Sequence, residues 1–196
     1  MPLRKSSSPQ LLAPAHVSLL FVEEKLHEDA LIALMEKLQG KRLLFISLNR
    51  GFAAMQRLLR KNRVPARQVH FLDCVSSSFS RNLVDGLHCT FLGKESSFTA
   101  ISLKLSAVLE KEFDVLVFDS LNALLLSEQR NYAERFVSLL AHKISMTEMT
   151  GVFVTVGIPS TQVFSSLKPF SGRVFVWKHG FMRSSIAVLK QLEGAK

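Results

Sequence analysis

Cysteines and long apolar runs are scarce in this 196-residue sequence. The two cysteines, Cys74 and Cys89, are too few for a disulfide framework, so we predict a reduced, cytoplasmic protein. No apolar run reaches the roughly 18 residues that a membrane helix needs, and we predict no contact with a membrane. Residues 11–22 come closest, but Pro14 interrupts them and two glutamates follow, which argues against a signal peptide.

The motifs of common catalytic and metal sites are also missing. No His-Glu-x-x-His, Cys-x-x-Cys or Gly-x-Ser-x-Gly pattern occurs, and the six histidines are scattered along the chain. We therefore predict no metal site, no cofactor and no catalytic residue. Cys74 follows an acidic residue at a predicted strand end, but no histidine can be assigned to it. A structural, half-buried cysteine is the preferred interpretation over a nucleophile.

The net charge of +9 is unevenly distributed. Residues 41–67 contain eight lysines and arginines and no acidic residue. Such a surplus favours an anionic partner, although basic side chains on exposed helix faces can simply interact with water. A helix predicted over 51–62 places Arg50, Arg57 and Lys61 in an exposed stripe opposite its apolar residues. The candidate anion or nucleic-acid patch consists of Lys41, Arg42, Arg50, Arg57 and Lys61.

Apolar runs alternate with helical apolar patterns, which predicts an α/β protein with a doubly wound, mostly parallel sheet flanked by helices. The predicted strands are 16–22, 42–48, 69–75, 88–92, 115–118, 151–156, 173–177 and 184–189. The last two strands are predicted to form a hairpin at the sheet edge. Helices are predicted between the strands, including a short one over 161–167. We predict one domain over residues 15–196 and a flexible tail over 1–14.

The predictions of fold and site depend most on the stretch 114–126. Residues 115–118 form a short apolar run typical of a strand buried on both faces, and Asp119 and Ser120 follow it. Polar groups at the carboxyl end of a central parallel strand lie where α/β proteins bind ligands. Two interpretations remain open for Asp119. It helps to hold Mg²⁺, as in phosphate-loop ATPases, or it caps the helix that follows.

A phosphate loop should follow the first strand, and this sequence has none there. The loop requires the pattern Gly-x-x-x-x-Gly-Lys-[Ser/Thr], because glycine backbones must approach the phosphates and a lysine must reach them. Residues 21–29 contain no glycine, and they carry four carboxylates: Glu23, Glu24, Glu28 and Asp29. This acidic turn argues strongly against conventional ATP binding.

With these features the sequence resembles the RecA/KaiC-like ATPase superfamily, and in particular its small archaeal members that lack a phosphate loop. The resemblance extends from about residue 15 to the C-terminus. It is carried by four stretches: 43–50 with the helix after it, 69–75, 114–126 and 171–194. Within 114–126, Asp119 and Ser120 match the Walker B position. They are therefore the predicted remnant of a nucleotide site.

Other parts of the superfamily pattern are absent. Active members carry a catalytic glutamate at the end of the second strand, where this sequence has Asn49 and Arg50. The resemblance therefore implies a pseudo-ATPase, which keeps a RecA-like scaffold but has lost most of the groups that hold and split ATP. Such a protein is not an enzyme.

Three functions remain as alternatives. The first is a regulatory or assembly subunit that contacts a RecA-like ATPase or another copy of itself, since the resemblance implies a subunit interface along the nucleotide face. The second is a nucleic-acid-binding accessory of recombination or repair, which would bind through its basic surface in a salt-sensitive manner. The third is a nucleotide-binding ATPase with an atypical phosphate loop.

Overall fold

The computed structural model describes residues 16–80, 82–92, 98–109, 111–125, 130–157, 171–178 and 181–184. The predicted tail over 1–14, the predicted helix over 161–167 and residues 185–189 of the predicted last strand lie outside these ranges. No helix within them is long and apolar enough to cross a membrane.

Strands and helices alternate along the described chain, as the apolar patterns predict. The strands are β1 (Val17–Val22), β2 (Leu43–Ser47), β3 (Val69–Asp73), β4 (Cys89–Phe91), β5 (Val115–Asp119), β6 (Thr150–Val156), β7 (Ser171–Lys178) and β8 (Phe181–Ser184). The helices are α1 (His27–Lys37), α2 (Phe52–Lys61), α3 (Phe98–Leu109), α4 (Leu121–Leu125) and α5 (Arg130–Ser145). Short 3-10 helices cover Glu24–Leu26 and Ser76–Ser78.

The strands form one sheet in the order β4-β3-β2-β5-β6-β1-β7-β8. Neighbouring strands are parallel except β7 and β8, which form an antiparallel hairpin at one edge. Apolar residues of α1 and α2 pack on one face of the sheet, and those of α3, α4 and α5 pack on the other. The predicted α/β class, the mostly parallel doubly wound sheet and the edge hairpin are confirmed.

The hairpin differs from its predicted boundaries. Its second strand begins at Phe181 rather than at Ser184, and Lys178 pairs directly with Phe181. A connection of two residues fixes the register of a hairpin, so the second strand must begin there. The prediction was wrong about this boundary because residues 184–189 have a stronger apolar strand pattern than the segment that contains Arg183.

Burial on both faces explains the continuous apolar runs of the central strands. Every residue of β1, β2 and β5 is buried. Phe118 and Phe153 are fully buried on neighbouring strands, with their ring centroids 5.6 Å apart. Each fully buried side chain of this size contributes roughly 1.5–3 kcal/mol. This core is a firm scaffold for the polar residues at the strand ends.

The outer edge of β4 is closed by the loop that precedes it. The N–H of Gly86 donates to the carbonyl of Cys89 at 2.8 Å, and the N–H of Phe91 donates to the carboxylate of Asp85 at 2.7 Å. Lys104 of α3 donates to the other oxygen of Asp85 at 2.8 Å. An added strand needs unpaired backbone groups, so β4 is poorly suited to strand-to-strand association.

Candidate functional site

The carboxyl ends of β1, β2 and β5 lie at one edge of the sheet, which we call the carboxyl edge. Parallel sheets bind ligands at this edge. Asp119 is the last residue of β5 and is 0 % exposed, and Ser120 is 1 % exposed. The peptide bond between them is cis. Both predicted remnant residues therefore lie at the carboxyl edge, but beneath its surface.

His27, the first residue of α1, contacts Asp119. Its Nε2 donates a hydrogen bond to Asp119 Oδ1 at 2.6 Å, and the imidazole is itself buried. The second carboxylate oxygen, Oδ2, has no hydrogen-bond partner among the described residues. A buried carboxylate needs a donor to offset its lost hydration. His27 supplies that donor.

The structure does not support the helix-capping alternative for Asp119. Neither of its oxygens accepts a backbone N–H of α4 within the described ranges. Its partner lies 92 residues earlier in the chain. Sequence reasoning missed His27 because it treated the histidines as scattered. The available signal was its position in the first turn after β1, where the superfamily's phosphate loop would end.

A second contact joins the start of α1 to the end of β2. Glu28 Oε1 lies 2.7 Å from Arg50 Nη1. The hydrogen bond and charge of Arg50 hold the pKa of Glu28 below its usual value. The sequence placed Arg50 in the exposed stripe of α2, but it precedes that helix, is half-buried and is engaged by Glu28. This part of the predicted patch is corrected.

Two asparagines complete the connections at the carboxyl edge. Asn49 Nδ2 donates to Ser120 Oγ at 2.8 Å, which links the end of β2 to the end of β5. Asn122 of α4 donates to the Val156 carbonyl at 2.5 Å and accepts the Val156 N–H at 2.7 Å. Side chains of the protein itself therefore join α1, β2, β5 and β6 at the edge where a nucleotide would bind.

Asp73 at the end of β3 has a structural role. It accepts backbone N–H groups from Phe52, Val75 and Ser76 at 2.6–2.8 Å, and the Ser76 hydroxyl donates to it at 2.6 Å. These bonds position the start of α2 against the loop after β3. A Cβ at Gly51 would collide with Ser76 Oγ, so any larger residue there would have to displace the Ser76 side chain and its bond to Asp73.

The cysteines do not form a reactive centre. Both are free thiols, and Cys89 is buried. Burial raises the pKa of both thiols, that of Cys89 to about 12. A thiol that stays protonated at neutral pH is a poor nucleophile, which favours the structural interpretation of Cys74.

The five residues of the candidate basic patch lie at three places in the fold: the amino end of β2, the carboxyl edge and α2. Arg42 lies at the amino end of β2 and forms ion pairs of 2.6 and 3.0 Å with two acids that precede β5. Arg50 is engaged at the carboxyl edge. Lys41, Arg57 and Lys61 are exposed, and none of them forms an ion pair within the described part of the chain.

The carboxyl edge does not fit a Mg²⁺–nucleotide site. Mg²⁺ takes six oxygen ligands and usually keeps several waters. Asp119 is closed from solvent, and one of its oxygens already accepts the His27 bond.

Comparison with solved structures identifies the architecture. The KaiC-like protein PH0186 of the hyperthermophilic archaeon Pyrococcus horikoshii OT3 is similar, with a TM-score of 0.60 at 12 % identity over 83 % of this chain and 71 % of that one. The chain has a RecA/KaiC-like fold. This confirms the resemblance found in the sequence.

Two further Pyrococcus horikoshii proteins are similar to this KaiC-like fold. PH0321, solved in complex with an unknown peptide, has a TM-score of 0.60 at 13 % identity over 87 % of this chain and 82 % of that one. PH0250 has a TM-score of 0.59 at 7 % identity over 89 % of this chain and 87 % of that one. No protein-family model and no curated protein matches the sequence. At these identities the likeness concerns the fold alone.

Proposed function

We propose that this chain is a pseudo-ATPase with a KaiC-like fold, a cytoplasmic regulatory or assembly subunit that acts through protein contacts. The observation that carries the proposal is the hydrogen bond from His27 to Asp119. The carboxylate that would help to hold Mg²⁺ in an active relative is buried and bonded by a side chain from the segment that replaces the phosphate loop.

The charges at the carboxyl edge support the same proposal. A phosphate loop offers a lysine and backbone N–H groups to the phosphates. The turn after β1 and the first turn of α1 carry four exposed carboxylates instead. Glu23 pairs with Lys25 and Glu28 with Arg50, which leaves Glu24 and Asp29 without an ion pair among the described residues. Two like charges 4 Å apart near a protein surface repel each other by about 4 kcal/mol. A triphosphate is therefore disfavoured here, which also weighs against an atypical nucleotide-binding loop.

The same carboxylates suit a protein partner. Glu24 and Asp29 are exposed and make no ion pair within the described ranges. The superfamily resemblance implies a subunit interface along this face, and PH0321 was solved with a peptide. The proposed partner is a RecA-like ATPase or a second copy of this chain, bound through basic side chains.

The nucleotide part of the proposal is tested by thermal unfolding with ATP, in the presence and absence of Mg²⁺. We expect no Mg²⁺-dependent rise in Tm and no ATP hydrolysis. A Mg²⁺-dependent rise that the Asp119→Asn change abolishes would overturn the proposal. Asn49→Ala is the control variant, because Asn49 is exposed at the same edge and its side chain donates to Ser120 alone within the described part of the chain.

The partner part is tested with a charge-reversed surface. Glu24→Lys with Asp29→Lys should abolish recovery of the partner in a pull-down read by mass spectrometry, or abolish self-association in analytical ultracentrifugation. Glu148→Lys is the matched control, because Glu148 is an exposed acid at the opposite edge of the sheet. Equal recovery with both variants would contradict an interface at the carboxyl edge.

A second candidate function is nucleic-acid binding as an accessory of recombination or repair. It is favoured by exposed cations that form no ion pair within the described structure: Arg57 and Lys61 on α2, and Lys41 at the amino end of β2. Phosphate contacts of this kind give affinity without base readout. A salt titration, described in the Discussion, tests this candidate.

A further inference from the structure

A pocket of about 420 Å³ opens at the amino end of β2 and β3, the edge opposite the His27–Asp119 contact. It forms where α1 ends, β2 begins and the turn after α2 leads into β3. Met35, Leu38 and Val69 line it and are buried, so part of its wall is apolar. The volume lies within the roughly 300–1,000 Å³ of small-molecule sites.

The polar lining of this pocket is cationic. Lys41 and Arg67 line it together with the amides Gln39 and Gln68, and no acidic residue of the described ranges does so. All four side chains belong to exposed residues. Neither cation has an ion-pair partner among the described residues. Lys41 also acts on Asp114 of the neighbouring pocket, where its charge adds to the hydrogen bonds of Arg42 in lowering the pKa of that carboxyl. Two cations without a direct ion pair still give this pocket a positive surplus, which favours an anionic ligand.

A neighbouring pocket provides a contrast within the same protein. It has a volume of about 520 Å³ and shares Lys41, but three acids also line it: Glu112, Asp114 and Glu148. Arg42 in that pocket is engaged by Glu112 and Asp114. Lys111 also lines it, so three cations face three acids and the charges balance. The surplus of positive charge is a property of the first pocket.

We propose that the pocket lined by Lys41 and Arg67 binds a small organic phosphate. The planar guanidinium of an arginine binds two phosphate oxygens at once, and a lysine adds a point charge. The amides of Gln39 and Gln68 supply further donors. The apolar wall accommodates the non-phosphate part of the ligand. Among the residues that the structure describes, no aromatic side chain lines the pocket for base stacking, which favours a small ligand over single-stranded nucleic acid.

This site is separate from the carboxyl edge. The five residues of β2 lie between them, which at about 3.3 Å per residue is a separation of about 16 Å. Binding in the pocket therefore needs neither Mg²⁺ nor Asp119. The pseudo-ATPase proposal can therefore fail without affecting the pocket proposal, and the reverse also holds.

The test uses phenyl phosphate as the probe, because it joins a phosphate to an apolar ring. Isothermal titration calorimetry compares the wild type with two double variants of equal net charge. Lys41→Gln/Arg67→Gln changes the pocket, and Arg57→Gln/Lys61→Gln removes two exposed cations of α2 outside it. All four residues are exposed, so both variants should fold, which thermal unfolding checks.

We expect phenyl phosphate to bind more tightly than inorganic phosphate, since only the former uses the apolar wall. The pocket variant should weaken its binding by about tenfold or more, as for loss of a charge-assisted hydrogen bond. The α2 variant should bind phenyl phosphate with an affinity within about twofold of the wild-type value. Absence of binding at millimolar phenyl phosphate would overturn the proposal, and so would an equal loss of affinity in both variants.

The second arm of the experiment replaces phenyl phosphate with a twelve-residue oligothymidylate. The oligomer could bind more tightly than phenyl phosphate, and both variants could weaken its binding equally. That result would show that the cations bind a polyanion, and it would contradict the proposal that the pocket binds a small organic phosphate.

Discussion

Glu28 and Arg50 face each other at the carboxyl edge and form an ion pair between the segment after β1 and the segment after β2. Their 2.7 Å ion pair joins the start of α1 to the end of β2. Active relatives are expected to carry a cation on the first of these segments and a glutamate on the second. In this chain the two segments attract each other directly.

The first prediction concerns the titration of Glu28. Its pKa is lowered from the ordinary value of 4.5 by the hydrogen bond and charge of Arg50. A folded-state pKa below the unfolded value means that the pair stabilises the fold above pH 4.5, and that this contribution is lost as the pH falls through the folded-state pKa. NMR titration should show the pKa of Glu28 rising in Arg50→Gln. Arg57→Gln should not change it, and an unchanged pKa in Arg50→Gln would refute the contact.

The second prediction concerns the buried contact. His27→Ala should lower the free energy of unfolding by about 2–4 kcal/mol, because it leaves the buried carboxylate of Asp119 without a donor. Asp119→Ala should cost less in the His27→Ala background than in the wild type, since it then removes an unpaired charge. Denaturant unfolding of the two single variants, the double variant and the wild type measures this coupling. Strictly additive effects would show that the two residues do not interact.

The third prediction concerns Gly51. Gly51→Ala should destabilise the protein by roughly 1–3 kcal/mol, because the new Cβ meets Ser76 Oγ and disturbs the bonds of Asp73. The same change should cost less when Ser76 is already alanine. Gly86→Ala is the matched control, since nothing lies within 4 Å of a Cβ there. Its effect should stay within about 0.5 kcal/mol. Equal effects of Gly51→Ala and Gly86→Ala on thermal unfolding would contradict the close contact.

The fourth prediction concerns nucleic-acid binding. If exposed cations of α2 contact phosphates, Arg57→Gln/Lys61→Gln should lower the slope of log affinity against log salt by up to about 1.8, at roughly 0.9 per lost duplex contact. Arg50→Gln should leave the slope unchanged, because Glu28 already engages that guanidinium. Fluorescence anisotropy with DNA and RNA at several salt concentrations measures both slopes. If the wild type does not bind even at low salt, the second candidate function fails.

The sequence by itself determined the elements and the fold class. The continuous apolar run of β5 and the helical pattern of α2 follow from local periodicity, which does not depend on the rest of the chain. The missing glycines after β1 and the Asp119-Ser120 pair after the central strand are also local features. They were sufficient to indicate a RecA/KaiC-like scaffold without a phosphate loop.

Only the tertiary structure decided which side chains meet. β1 and β5 are separated by β6 in the sheet, so no local pattern brings His27 to Asp119. Arg50 fits a helical stripe by its spacing, yet it lies ahead of α2 and binds Glu28. Lys41 and Arg67 line one pocket because β2 and β3 are neighbours. Periodicity specifies the face of an element, whereas strand order specifies which strand ends come together.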